Sequence, residues 1–132
     1  MRAVPLGTRG SFTLTVGQDH LASRMKDSVL PPVLATPYLV LIVENAALDA
    51  IRPFLEPGES AVGTAVNLDH LAPTPVGHVV HGEAEVVKVD GRRIEFRVTV
   101  RDEIEEIGKG SHERAVIKVD RFMQRLAEKA KR

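Results

Sequence analysis

Glu44 is the residue whose surroundings most clearly ask for chemistry, because it interrupts Tyr38-Leu39-Val40-Leu41-Ile42-Val43-Glu44-Asn45-Ala46-Ala47-Leu48, a segment that otherwise reads as a buried helix. Its same-face neighbours at helical spacing are Val40, Leu41, Ala47 and Leu48, all apolar. A carboxylate in such a place is costly unless paired, hydrogen-bonded or protonated, so a chain that keeps one there is expected to use it. Asp49 is the contrast, with Asn45 and Arg52 as helical neighbours on an ordinary wet stripe. His70 is the second candidate. Alternation from Ala61 to Leu71 assigns Val62, Thr64, Val66, Leu68 and His70 to the inward face of a strand. Projected into the same core, His70 and Glu44 would solve each other's burial problem, and a His beside a carboxylate is a competent general base for water. Taken singly, each has a structural role open to it; their coincidence points to acid–base work.

The elements that must position these groups follow from periodicity. Ser11 to Val16 alternates as a first strand with Phe12, Leu14 and Val16 inward, and Gly17 ends it. Gln18 to Leu34 reads as a loop or short helix closed by Pro31-Pro32. Thr36-Pro37 is a helix start, a capping hydroxyl followed by a proline where no N–H is needed. The helix is expected from Pro37 to Arg52, stopping near Pro53. Four strands come next: Ala61 to Leu71, Gly77 to Val89, Arg93 to Arg101 and Glu105 to Val119, with Asp90-Gly91 as a two-residue hairpin signal. Asp120 is read as the cap of a C-terminal helix carrying Phe122 and Leu126 on one side. One largely apolar helix and about five antiparallel strands, each with one apolar face, form an α+β fold only if the sheet wraps the helix. This is the hot-dog architecture. A single helix cannot cover so long a sheet, so a homodimer is expected.

Composition excludes more than it asserts. The 132 residues fit one domain spanning 1–132, with no cysteine and therefore no disulfide, thiol nucleophile or thiolate metal site. Eighteen basic residues balance eighteen acidic ones, which gives no pull toward nucleic acid or a membrane surface. No signal peptide or long apolar run is present, so the cytoplasm is the expected compartment. His78, His81 and Glu83 resemble metal ligands on paper, but two histidines three residues apart on a strand face opposite ways, and no metal is expected.

Ala35-Thr36-Pro37, Glu44-Asn45-Ala46, Leu55-Glu56-Pro57-Gly58-Glu59, Val62-Gly63-Thr64-Ala65, His70 before Ala72-Pro73-Thr74-Pro75-Val76-Gly77, Gly91-Arg92-Arg93 and Ile107 to Arg114 stand in order over almost the whole chain. Together they resemble the fluoroacetyl-CoA thioesterase family of hot-dog proteins. The resemblance implies an acyl-CoA thioesterase with catalytic Thr36, Glu44 and His70, with Gly63 beside the reacting acyl group and Arg114 lining the site. It implies no cofactor beyond the coenzyme A carried by the substrate.

Eight residues separate Thr36 from Glu44, about 12 Å along a helix axis, so no direct hydrogen bond between them is expected. A thioester lying along the helix would touch both, its carbonyl near the helix N-terminus, where the Tyr38 and Leu39 N–H groups are candidate oxyanion donors. Hydrolysis would run by water attack assisted by His70 and Glu44, directly or through a transient acyl–Glu44 anhydride. Hydration or dehydration of an acyl-CoA, and non-catalytic binding of an acyl-CoA or small ligand, are the competing readings. Thiol release separates the first from both.

A lid of aromatic rings over the pocket would suit selection of a small halogenated acyl group, and the corresponding segment, Met25 to Leu34, contains none. An apolar loop of Met25, Val29, Leu30 and Leu34 excludes water without offering ring faces and edges to tell fluorine from hydrogen. A merely hydrophobic pocket reads a one-atom difference at about 1–3 kcal/mol. Specificity constants for fluoroacetyl-CoA and acetyl-CoA should therefore differ by less than roughly a few hundredfold. A ratio of about ten-thousandfold would reveal another discriminating device.

Overall fold

The computed structural model describes Met1–Arg132. Strand β1 (Arg9–Thr15) is followed by a turn of 3-10 helix at Gln18–His20 and the short helix α1 (Ala22–Met25). The long helix α2 (Thr36–Ile51) runs into a second 3-10 turn, Arg52–Phe54, around Pro53. Then come β2 (Glu59–His70), β3 (Val79–Asp90), β4 (Arg93–Arg101), β5 (Glu106–Lys118) and the terminal helix α3 (Val119–Ala130). The five strands form one antiparallel sheet in the order β1-β3-β4-β5-β2. No helix is long and apolar enough to cross a membrane.

The sheet wraps α2, as its pattern demanded. Leu39, Ile42, Val43, Ala46, Ala47, Ala50 and Ile51 form the buried face of the helix. They meet Val80, Ala84 and Val86 of β3, Ile94, Phe96, Val98 and Val100 of β4, and Ile107 and Val116 of β5 in one continuous core. Small residues set the distance of approach. A Cβ at Gly10 of β1 would fall on the backbone of Ala46 and Ala50, and one at Gly82 on the Ile42 side chain. The helix can lie this close only because these strand positions carry no side chain.

Several expectations change in detail. The hairpin loop is Gly91-Arg92, since Asp90 pairs with Arg93, and Gly91 takes the positive φ of 60° that a two-residue loop needs at its first position. Lys118, not Asp120, is the N-cap residue of α3, and Asp120 lies in its first turn. Phe122 and Leu126 share an exposed stripe with Met123. Leu34, assigned to an apolar lid, is instead 1% exposed in the core and bridges Leu21, while Met25 and Val29 stand in solvent.

The most consequential correction is in β2. A bulge between Gly63 and Ala65 shifts its register against β5, so strict alternation fails there. Ala61 and Gly63 lie opposite inward-facing Val116 and Arg114; beyond the bulge, Val66 lies opposite buried His112, and Leu68 and His70 keep that side. Val62 and Thr64 therefore do not belong to the inward set. Thr64 donates its hydroxyl to the Glu113 carbonyl, and its Oγ1 lies 3.1 Å from both that carbonyl and the Glu113 carboxylate.

The close approach at Gly10 predicts a stability result. The obstructing atoms are helix backbone and cannot rotate away, so Gly10→Ala should cost about 3 kcal/mol, the upper end of ordinary overpacking. Gly17→Ala, whose new Cβ would come no nearer than 3.8 Å to a neighbour, is the control. Urea unfolding of both variants measures the difference.

Candidate functional site

Ala35, not Thr36, occupies the N-cap position of α2, and no side chain caps the helix. The Thr36 hydroxyl is thereby released. Its Oγ1 lies 2.8 Å from Nδ1 of His70, which arrives from the last position of β2. Pro37 follows in the first turn, as expected. The Tyr38 and Leu39 N–H groups, anticipated as free donors, turn back onto the Ala35 carbonyl at 3.0 and 3.4 Å. What this end of the helix contributes to an incoming carbonyl is therefore its dipole.

His70 is half-buried and its Nε2 is enclosed without a hydrogen-bond partner. Burial holds its pKa below the ordinary imidazole value, opposed only in part by the Ala72 backbone. A neutral imidazole beside a hydroxyl is the arrangement of a base and the group whose proton it takes or orients.

Glu44 occupies a second station further along the helix. Its Oε2 lies 3.6 Å from Nη1 of Arg114, and its side chain is 39% exposed against 9% for Arg114. The expected His70–Glu44 pair is thus not the one the fold makes: His70 partners Thr36, and Glu44 partners Arg114. Helix geometry is the reason, because Thr36 and Glu44 stand two turns apart on α2 while β2 ends beside the first of them. The expectation that Glu44 sits in the core also changes. The core uses the Leu39–Ile42–Val43–Ala46 side of α2, and Glu44 belongs to the other apolar stripe, in an open groove with Pro37, Leu41, Asn45, Leu48 and Arg114.

Gly63 and Arg114 complete this station. A Cβ at Gly63 would stand 2.7 Å from Glu44 Oε2, 3.4 Å from the His112 ring and 3.5 Å from Arg114 Nη1, so the missing side chain is what admits the carboxylate. Arg114 donates from Nη2 to the Ala61 carbonyl at 2.8 Å, and its Nη1 is 3.2 Å from His112 Nε2. Its donors are turned inward, toward the protein and Glu44. Burial lowers the Arg114 pKa, and Glu44 partly restores it.

Residue-type reasoning passed over His112, which is 2% exposed at the centre of this cluster. The signal was available in its parity with Arg114 along one strand, two residues apart. His81 and Glu83 meet, but His78 does not join them. His81 has Nδ1 3.0 Å from the Thr13 hydroxyl and Nε2 3.5 Å from Glu83, both toward solvent.

Comparison with known proteins places the chain in a family. Residues 16–120 match the model of FlK, the fluoroacetyl-CoA-specific thioesterase. A fluoroacetyl-CoA thioesterase of Streptantibioticus cattleyicolor is 44% identical over 99 residues, covering 75% of this chain and 71% of the relative. The solved structure of fluoroacetyl-CoA thioesterase FlK superposes with a TM-score of 0.91 at 36% identity, over 96% of this chain and 98% of that one. A thioesterase-superfamily protein of Thermus thermophilus gives a TM-score of 0.88 at 31% identity, over 99% and 98%. Variants of FlK have been solved with acetyl-CoA and with fluoroacetate and CoA. The match spans the helix, the bulged strand and β5, every element that carries the two stations, and this chain belongs to the fluoroacetyl-CoA-specific thioesterase family, thioester hydrolases of hot-dog fold.

Proposed function

We propose that this protein hydrolyses the thioester of a small acyl-CoA, with Thr36, Glu44 and His70 as the reacting groups. The observation that carries the proposal is the 2.8 Å contact of Thr36 Oγ1 with His70 Nδ1 at the N-terminus of the helix whose open groove holds the Glu44–Arg114 pair. Helical side chains lean toward the N-terminus, and the longer Glu44 side chain reaches further that way than Thr36, so a thioester lying along the helix between the stations can meet both. The thioester carbonyl lies at the helix N-terminus, where the dipole favours developing oxyanion charge. His70, neutral and oriented by Thr36, serves as general base.

In the direct route, water attacks the carbonyl carbon, its proton passes by way of the Thr36 hydroxyl to His70 Nδ1, and the collapsing tetrahedral intermediate expels CoA as thiolate, which the same relay reprotonates. In the covalent route, Glu44 attacks first, CoA leaves, and water activated by His70 opens the anhydride. The two differ in a label: single turnover in H2-18O puts the isotope into the Glu44 carboxylate only if water attacks the anhydride at the Glu44 carbon. Release of the label solely into the acid product leaves the direct route and attack at the acyl carbon, which acyl-enzyme trapping separates. No cofactor beyond the substrate's own coenzyme A is required by either.

The working form is a homodimer. The groove stripe of α2 leaves Leu41 exposed, and β2 is a twelve-residue edge strand pairing only with β5, with Val66 40% exposed. A long unpaired edge beside an apolar stripe invites a second copy, which would close the groove over the acyl group. Light scattering at micromolar concentration should report twice the monomer mass, 14.4 kDa. An active monomer would refute this.

Activity gives the sharper test. Glu44→Gln or His70→Ala should lower thiol release from short acyl-CoAs by at least about a hundredfold, the usual scale for losing an acid–base group. Near-normal turnover in either variant would remove that residue from the mechanism. Because burial depresses the His70 pKa, the base stays neutral below the ordinary value of about 6.5, and the acid limb of kcat/KM should fall below that pH. Stability runs the same way: the unfolded chain takes up the proton first, so stability is full above about 6.5 and falls as pH drops toward the folded pKa.

A further inference from the structure

His112 has no part in the reaction described above, yet the fold encloses it from several sides. β5 projects it inward between Gly110 and Arg114, β2 sets Val66 opposite it, and the Phe96 ring of β4 stacks on it with centroids 5.9 Å apart. An imidazole at this depth is costly unless both nitrogens are engaged, and both are. Nδ1 lies 2.8 Å from the Ala65 carbonyl, which only accepts, so Nδ1 carries the proton. Nε2 is then a lone pair. Arg114 has only donors, so the 3.2 Å contact is Arg114 Nη1 donating to His112 Nε2.

The consequence reaches Glu44. With Nη2 held by the Ala61 carbonyl and Nη1 by His112, the guanidinium is pinned at two points and presents Nη1 to the carboxylate. Protonation of His112 would set one N–H against another and release one of those points. The charged groups around the ring are Arg114 and Glu113 on its own strand, Glu44 from α2 and Glu95 of β4 along the neighbouring surface; β2 offers only the Ala65 carbonyl. Burial is the strongest influence and keeps the ring neutral, aided by Arg114 and opposed by Ala65, Glu44 and Glu113.

We propose that His112 is a positioning residue for thioester hydrolysis: fixed as the Nδ1–H tautomer by the Ala65 carbonyl, it aims the Arg114 guanidinium at the Glu44 carboxylate. This rests on the role given to Glu44 under the proposed function. Ala65 is the residue just past the bulge in β2, so the kink that brings Gly63 beside Glu44 also supplies the carbonyl that sets the tautomer.

Two substitutions separate the nitrogens. His112→Asn retains a donor where Nδ1 stood and has no acceptor at the Nε2 position; His112→Gln reaches that position with an acceptor. Thiol release should show kcat of His112→Asn reduced about tenfold or more with KM changed less than about threefold, and His112→Gln should recover most of the loss. In an Arg114→Gln background the same Asn substitution should cost less than about a further twofold, because its path to Glu44 is already cut. The acid limb of the His112→Gln pH profile should also lose one proton of steepness, which a merely space-filling ring would not cause. Wild-type kcat in His112→Asn, a Gln variant no better than Asn, additive losses in the double variant, or an unchanged acid limb would each overturn the inference. Should His112→Asn fail to fold, His112→Gln and its pH profile decide alone. Glu44→Gln assayed in parallel keeps the failures apart: full turnover there sinks the reaction scheme itself, whereas a dead Glu44→Gln beside a normal His112→Asn sinks only the role of His112.

Discussion

Everything in this molecule depends on how closely α2 can lie against the sheet. The approach is set at strand positions without side chains, above all Gly10 against Ala46 and Ala50 and Gly82 against Ile42. Bringing backbone to backbone there buries one side of the helix completely, from Leu39 to Ile51. It also fixes the rotation of the helix about its axis. Once that side is committed to the core, Pro37, Leu41, Glu44 and Leu48 have no choice but the opposite stripe, which lines the open groove.

The second constraint is the bulge in β2. Without it, alternation would carry Val62 and Thr64 inward and turn Gly63 away from the helix. With the extra residue absorbed between Gly63 and Ala65, the strand presents glycine where Glu44 must enter and still returns His70 to the same side as Thr36. One irregularity thus serves both stations, which lie two turns apart on α2. A regular strand could have served only one of them, since a one-residue phase change moves every side chain to the other face.

Much of this was legible in the residues. The strand-helix-four-strand order, the extent of α2 and the inward faces of β1 and β4 all follow from periodicity and helix punctuation. The pairing of groups was not. Period-two alternation contains no sign of a bulge, so the phase of β2 was right beyond Ala65 and wrong before it. Nor does Thr-Pro reveal whether the hydroxyl caps its own helix; that depends on where β2 ends in space, and its last residue, His70, takes the hydroxyl instead. For His112 the sequence offered only its parity with Arg114 on one strand; its contact with the Ala65 carbonyl lies across a register that only the folded sheet defines.

The charge at the centre of the site also reads differently once folded. From sequence, Glu44 was the buried ion in need of a partner; in the structure Arg114 is the buried one, at 9% side-chain exposure, and Glu44, at 39%, is the answer to its burial. Removing the partner of a fully buried charge destabilises a protein by about 3–5 kcal/mol, and solvent access at Glu44 reduces that figure here. The direction still matters. Arg114 donates from Nη2 to the Ala61 carbonyl and from Nη1 to His112 while its buried Nε stays unpartnered, and the carboxylate paired with it is Glu44 at the wall of the groove. A guanidinium held this way is a poor ligand for a mobile phosphate and a good anchor for a fixed carboxylate. The burial cost carried by Arg114 and the orientation demanded of Glu44 are therefore met by a single contact.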